Sequence, residues 1–248
     1  VDWEALTTFL REEARVEAEL RDDIFSELKG AELEEVAYEL ARIRVLGPHS
    51  SSLNDEPYPV EVDYERRNLK RSDRRFGPVY SGFRFQTLLR ELLPEGERIF
   101  QYLHVVFTNQ RLATWEGGRW HLRVVLLGFP MVISTTGLVE APAREREYYV
   151  LSSVDLALAE KWLAERGEFL DYDDPRLTEV LKGYLWQGLF YHRALLRREE
   201  FAFCSDGRCS LYNSHWQREL FQAQLGGQLC TSHRRLWEEG RCEGSQGA

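Results

Sequence analysis

Four residues near the C-terminus have the types and spacing of a metal site. Cys204 and Cys209 have four residues between them, and Cys230 and His233 have two. Thiolate sulfur at about 2.3 Å and imidazole nitrogen at about 2.0–2.1 Å are the donors of tetrahedral zinc. The first pair encloses "SDGR", in which Asp206-Gly207 suits a tight turn that brings both sulfurs together. Twenty residues separate the pairs, room for a short helix over "WQRELFQAQL" to return the chain. A Cys3His set fills every position of a tetrahedron, so the spacing predicts one structural Zn2+ and leaves no place on it for substrate. His215, in the connecting helix, and Cys242, in a polar tail, compete for the fourth position on weaker spacing.

The element that must position this segment is the helix before it. Asp174 suits an N-cap and Pro175 the first helical position. Along "RLTEVLKGYLWQGLFYHRALL", residues Leu177, Val180, Leu181, Tyr184, Leu185 and Leu189 form one apolar face. His192 falls on that face, next to the cysteine segment, and is the candidate catalytic residue. A lone histidine on a buried helix face is more often a packed core residue than a ligand. Other acids and histidines border the same block: Glu140, Glu147, Asp171 and Asp173 in loops, and His104 and His121 on predicted strands. Their spacing selects none of them, and a second, catalytic zinc has no motif to support it.

Farther upstream, residues 2–46 read as helix, with Leu33, Val36, Ala37, Leu40 and Ile43 at helical spacing. "GPHSSSLNDEPYP" (47–59) reads as a linker, followed by the basic strip 66–75, whose charges suit a solvated loop or, as the alternative, a phosphate- or acid-binding strip. "FRFQTLLRELL" predicts a helix ended by Pro94 and Gly96, and "YLHVVFTN" a strand. "LATWE" and "RWHLRVVLL" flank Gly117-Gly118 as a hairpin, and "MVISTTGLVEAPA" reads as a strand running into a loop. Another helix follows over 153–166. The expected fold class is α+β: an N-terminal helical segment (1–46), a linker and charged loop (47–75), and a domain over 76–248 with its zinc site at 204–233.

Composition narrows the function classes. The chain of 248 residues is 43% hydrophobic and 29% charged, with a formal net charge of −9. That balance argues against nucleic acid as the partner, because neutralising phosphates requires basic surface. No apolar run reaches membrane-spanning length, and the N-terminus has no basic-then-apolar leader. Cysteines gathered in the last fifth of such a chain suit reduced thiols and a metal, and predict a cytoplasmic protein.

The pattern Cys204-x4-Cys209-x-Leu211, then eighteen residues, then Cys230-x2-His233 resembles the second half of the archaemetzincin motif. In that family the first half, HExxHxxGx3C, binds a catalytic zinc, and the cysteines bind a structural one. Here Leu211 stands in place of a methionine and His233 in place of the last cysteine. "HVVFTNQRLATW", "ISTTGLVEAPAREREYY", "FLDYDDPRLTEVLKGY" and "CSLYNSHWQ" are similar to a prokaryotic family of unknown function labelled as metallopeptidases, over about residues 76–237. The resemblance implies a metzincin-like mixed sheet packed on helices. It fails at the catalytic half. With His192 as the second histidine of HExxH, Gly188 and Leu189 occupy the first histidine and glutamate positions; with His192 as the first, Arg193 and Leu196 replace the glutamate and second histidine. The glutamate that activates water is missing in both registers. The expectation is a zinc-binding, metallopeptidase-like protein with a degenerate catalytic site that binds a peptide or protein. The alternative is a divergent zinc-dependent metallopeptidase using ligands outside the motif.

Overall fold

The computed structural model describes residues 1–70 and 77–244, the last four of these by backbone alone. The described chain is α+β, with its strands confined to Val79–Ser134 and helices on either side in sequence. It divides into two compact units: Glu19–Ala141, and Val1–Ala18 together with the chain from Pro142 onward. This division differs from the boundaries at 46 and 75 read from the sequence.

Glu19–Ala141 contains the strands. Helix α2 (Gly30–Arg42) buries Leu33, Val36, Ala37, Leu40 and Ala41, the stripe that its 3- and 4-residue spacing demands. Strands β1 (Val79–Ser81), β3 (Arg111–Glu116) and β4 (Arg119–Arg123) form one sheet, β1 parallel and β4 antiparallel to the central β3. Strands β2 (Val105–Thr108), β5 (Val125–Leu126) and β6 (Met131–Ser134) form a second, ordered β2-β6-β5. The central β6 is buried at every residue, which explains its unbroken apolar run. Gly117 and Gly118 have φ of 56° and 80°, as the tight β3–β4 turn requires. Helix α4 (Gly82–Leu92) packs Phe85, Leu88 and Leu89 into the same core as α2.

Several expectations for this region are corrected. The helix expected over 2–46 is broken: α1 (Trp3–Phe9) and a π-helical turn (Leu10–Ala14) end at Arg15, whose φ of 55° is left-handed, and residues 15–29 are non-helical. The loop expected over 47–75 contains helix α3 (Pro59–Asn68), started by Pro59 and by the Tyr58 N–H donating to Glu61 Oε2 at 2.9 Å. Part of the basic strip, 71–75, lies outside the described residues. After β6 the chain forms helix α5 (Thr135–Glu140), because Ser134 Oγ caps the Gly137 N–H at 2.8 Å.

Helix α3 is fastened by a buried ionic network. Glu65 is 0% exposed. Its carboxylate accepts from Arg44 Nε at 2.8 Å and from the Tyr80 hydroxyl at 2.8 and 2.9 Å, while Arg44 also reaches Glu61 at 3.2 Å. Burying a carboxylate this fully is tolerable only with such complete pairing.

The other unit contains α6 (Arg146–Ser152), α7 (Leu156–Arg166), α8 (Leu177–Arg197), α9 (Gln217–Gln224) and α10 (Thr231–Gly244). Helix α8 starts two residues later than expected. Asp174 accepts the Arg176 N–H at 2.8 Å, forming a turn ahead of the helix and not its N-cap. Trp186 centres an aromatic core, with edge-on contacts to Phe9 at 5.7 Å and Trp237 at 5.2 Å. The N-terminal segment belongs here because Asp2 donates its N–H to Thr178 Oγ1 at 2.9 Å and Trp237 Nε1 donates to the Ala14 carbonyl at 3.1 Å. No described helix is long and apolar enough to cross a membrane.

Candidate metal centre

Two short arms bring the four sequence-predicted ligands together. The first leaves α8 and folds back at Asp206, whose carbonyl accepts the Cys209 N–H at 3.0 Å while its side chain accepts the Arg208 N–H, also at 3.0 Å. Cys204 donates its N–H to the Leu211 carbonyl at 2.9 Å, so both cysteines face the same side of the turn. Leu211, at the position where the resemblance has methionine, is buried. The second arm leaves α9 through Gly226 and Gly227, with φ of 76° and 63°, and ends at Cys230, one residue before α10. Glycine serves there because other residues rarely adopt left-handed backbone.

The arms are joined to each other and to α8. Ser210 donates its N–H to the Gln228 carbonyl at 2.7 Å. Gln187 Nε2 donates to the Ser210 carbonyl at 2.8 Å, and Trp186 Nε1 to the Gly227 carbonyl at 2.8 Å. The His233 ring stands edge-on to Phe190 at 5.6 Å. One helix therefore fixes both arms through Trp186, Gln187 and Phe190. Sequence reasoning missed these supports; the one available signal was Gln187, a polar residue within a strongly apolar stretch.

The ligand atoms of Cys204, Cys209, Cys230 and His233 all lie within 4.8 Å of one another. Cys204 Sγ is 4.0 Å from Cys230 Sγ, and His233 Nδ1 is 3.7 Å from Cys209 Sγ and 3.1 Å from Cys230 Sγ. A tetrahedron with 2.3 Å metal–sulfur bonds has sulfur–sulfur edges of about 3.8 Å. The three distances bracket that edge and all four atoms fall within 4.8 Å, so donor chemistry and spacing both fit a metal ion. Backbone N–H groups point at two of the sulfurs: Asp206 at Cys204, 3.3 Å, and Cys230 at Cys209, 3.4 Å.

Burial is the main influence on the protonation of Cys209 and His233. Burial, with Cys204 and Cys230 close by, pushes the Cys209 thiol up to about 12. That sulfur therefore holds its proton near neutrality until a cation displaces it. Burial also lowers the His233 imidazole, keeping it in the neutral, ligating form. The four residues differ in access: Cys209 is fully buried, whereas Cys204, Cys230 and His233 are half-buried and line an open depression with Phe203, Asp206 and Leu229.

The remaining candidates lie elsewhere. His192 is half-buried on α8 and outside the four-ligand group. Glu140 is engaged by Arg111 at 2.6 and 2.7 Å. His104 contacts the Glu97 carbonyl at 3.1 Å, His121 the Glu116 carbonyl at 3.2 Å, and Glu147, Asp171 and Asp173 are exposed. His215 is exposed, and the Cys242 side chain lies outside the described residues. Among the described residues, the Cys3His group is the one set of three or more such side chains close enough to share an ion.

No curated protein and no solved structure matches the chain. A family model does match, over residues 1–240, and its description is "Probable metallopeptidase family (DUF6775)". With nearly the whole described chain covered, from the α1 segment through most of α10, the protein belongs to this probable metallopeptidase family.

Proposed function

We propose that the chain binds one zinc ion as a structural clasp and acts by holding a peptide or protein, its inherited hydrolytic site having degenerated. The observation that carries this is the closed donor set: three sulfurs and one nitrogen within 4.8 Å of one another. Zinc bound by four protein ligands supplies cross-linking and no open position for water or substrate. Cys204 and Cys209 would hold the ion from the first arm, Cys230 and His233 from the second. The sequence contains no HExxH, so it lacks the paired histidines and the carboxylate of that chemistry. Membership of a metallopeptidase family supports a peptide or protein as ligand, and three thiols kept for a metal suit a reducing compartment such as the cytoplasm.

The family description also favours a second possibility: a divergent metallopeptidase with His192 serving a second metal through ligands outside the motif. His192→Ala separates the two. The expected outcome is a fully zinc-loaded protein destabilised by about 1 kcal/mol in urea denaturation. Loss of the tightly held zinc would overturn the ligand assignment. Hydrolysis of a peptide library by the parent chain, dependent on an exchangeable second metal and abolished in His192→Ala, would establish the divergent enzyme instead.

A further inference from the structure

We propose that Cys204 and Cys230 form a peroxide-sensitive pair whose oxidation to a disulfide expels the clasp metal, and this rests on the structural-zinc proposal above. The observations are distance and access. Their sulfurs are 4.0 Å apart, and both side chains are half-exposed on the wall of one open depression. Cys209, the third sulfur, is 0% exposed and receives the Cys230 N–H from within the fold. A small oxidant entering the depression therefore meets two of the sulfurs and is screened from the third.

The thiolate is the form in which cysteine binds zinc and the form that peroxides attack. In the first step one thiolate attacks the O–O bond of a hydroperoxide, forming an S–O bond. With hydrogen peroxide and one proton, this yields a sulfenic acid and water. In the second step the neighbouring thiolate attacks that sulfur, the S–O bond breaks, and with another proton a second water leaves. Two electrons pass from the sulfurs to the peroxide, and Zn2+ is released because two of its four ligands are consumed. A disulfide of about 2.05 Å requires the two sulfurs to approach by about 2 Å. Both stand on backbone built for turning: Cys204 is two residues before the Asp206 turn, and Cys230 follows the left-handed Gly226-Gly227 pair.

The consequence extends beyond the clasp. Cys230 immediately precedes α10, and Trp237 of that helix packs on Trp186 and holds the Ala14 carbonyl. Oxidation would thus strain the docking of α10 and of the N-terminal segment, and reduction by a dithiol with added zinc would restore it.

The test uses the full chain loaded with zinc. Metal content is measured first; hydrogen peroxide is then added while a chromogenic chelator reports release and mass spectrometry maps the disulfide. The expected result is one zinc released per disulfide formed, with Cys204–Cys230 as the main bridge and recovery after dithiothreitol and zinc. Cys204→His keeps four donors but removes one sulfur of the pair, and should slow peroxide-driven release at least tenfold. If that variant fails to fold, the disulfide map of the parent chain decides alone. Bridges through Cys209, or zinc retained while other sites oxidise, would overturn the pair and leave the structural zinc standing. A chain that binds no zinc at the outset removes both.

Discussion

The two units solve the same problem, holding short elements together, by different means. In Glu19–Ala141, α2, α4 and the strands close over one apolar cluster containing Leu33, Leu40, Phe85, Leu89, Leu112 and Val132, with the Glu65–Arg44–Tyr80 network beside it. The clasp region instead has two irregular arms, held by turn hydrogen bonds, by the Ser210–Gln228 backbone bond and by donors from Trp186 and Gln187. Its packing depends on Trp186, Phe190 and Trp237 below, and on four metal donors above. Buried apolar area is the main stabiliser of the first unit. Fixing such irregular arms costs conformational entropy, which a bound metal would offset.

This contrast can be broken most severely at Cys209, the buried member of the Cys3His group. Cys209→Ala removes a quarter of the donor set, and zinc-binding free energy on the order of 10 kcal/mol is what couples such segments to folding. We expect loss of bound zinc and loss of hydrogen-exchange protection in α9 and α10, with protection of the β-strands unchanged. Strands that unprotect together with α10 would show that the first unit is not independent of the metal.

Next in size is Glu65→Ala, which should cost about 3 kcal/mol by leaving the Arg44 guanidinium without its main partner. The predicted signature is the converse: earlier urea unfolding of Glu19–Ala141 at full zinc content. The smallest effect is expected from Trp237→Phe, which keeps the aromatic packing but deletes the hydrogen bond to Ala14. A loss of about 1 kcal/mol, faster amide exchange along α1 and unchanged zinc binding should follow. An unaltered exchange pattern at α1 would mean that Trp237 does not hold the N-terminal segment.

Which of these features could be read from sequence depended on how local they are. Each pair sits on a single turn or at one helix start, so spacing alone could foretell that Cys204, Cys209, Cys230 and His233 cluster. The Gly117-Gly118 hairpin was legible for the same reason. Helix α3 was not, because its one fully buried residue is Glu65: the inward face is marked by a carboxylate and carries no apolar stripe. The placement of residues 1–18 was also hidden, since it depends on partners 176 and 223 positions away. The break after Ala14 comes from the left-handed Arg15, and arginine carries no turn signal comparable to glycine.

The central claim is a closed, four-ligand zinc, and metal stoichiometry tests it most directly. The full chain, expressed with zinc and dialysed exhaustively without chelator, should retain one zinc per molecule by elemental analysis. Substituting cobalt should give the intense visible absorption of tetrahedral thiolate coordination. No retained metal, or a cobalt spectrum of a site with an open water position, would contradict it.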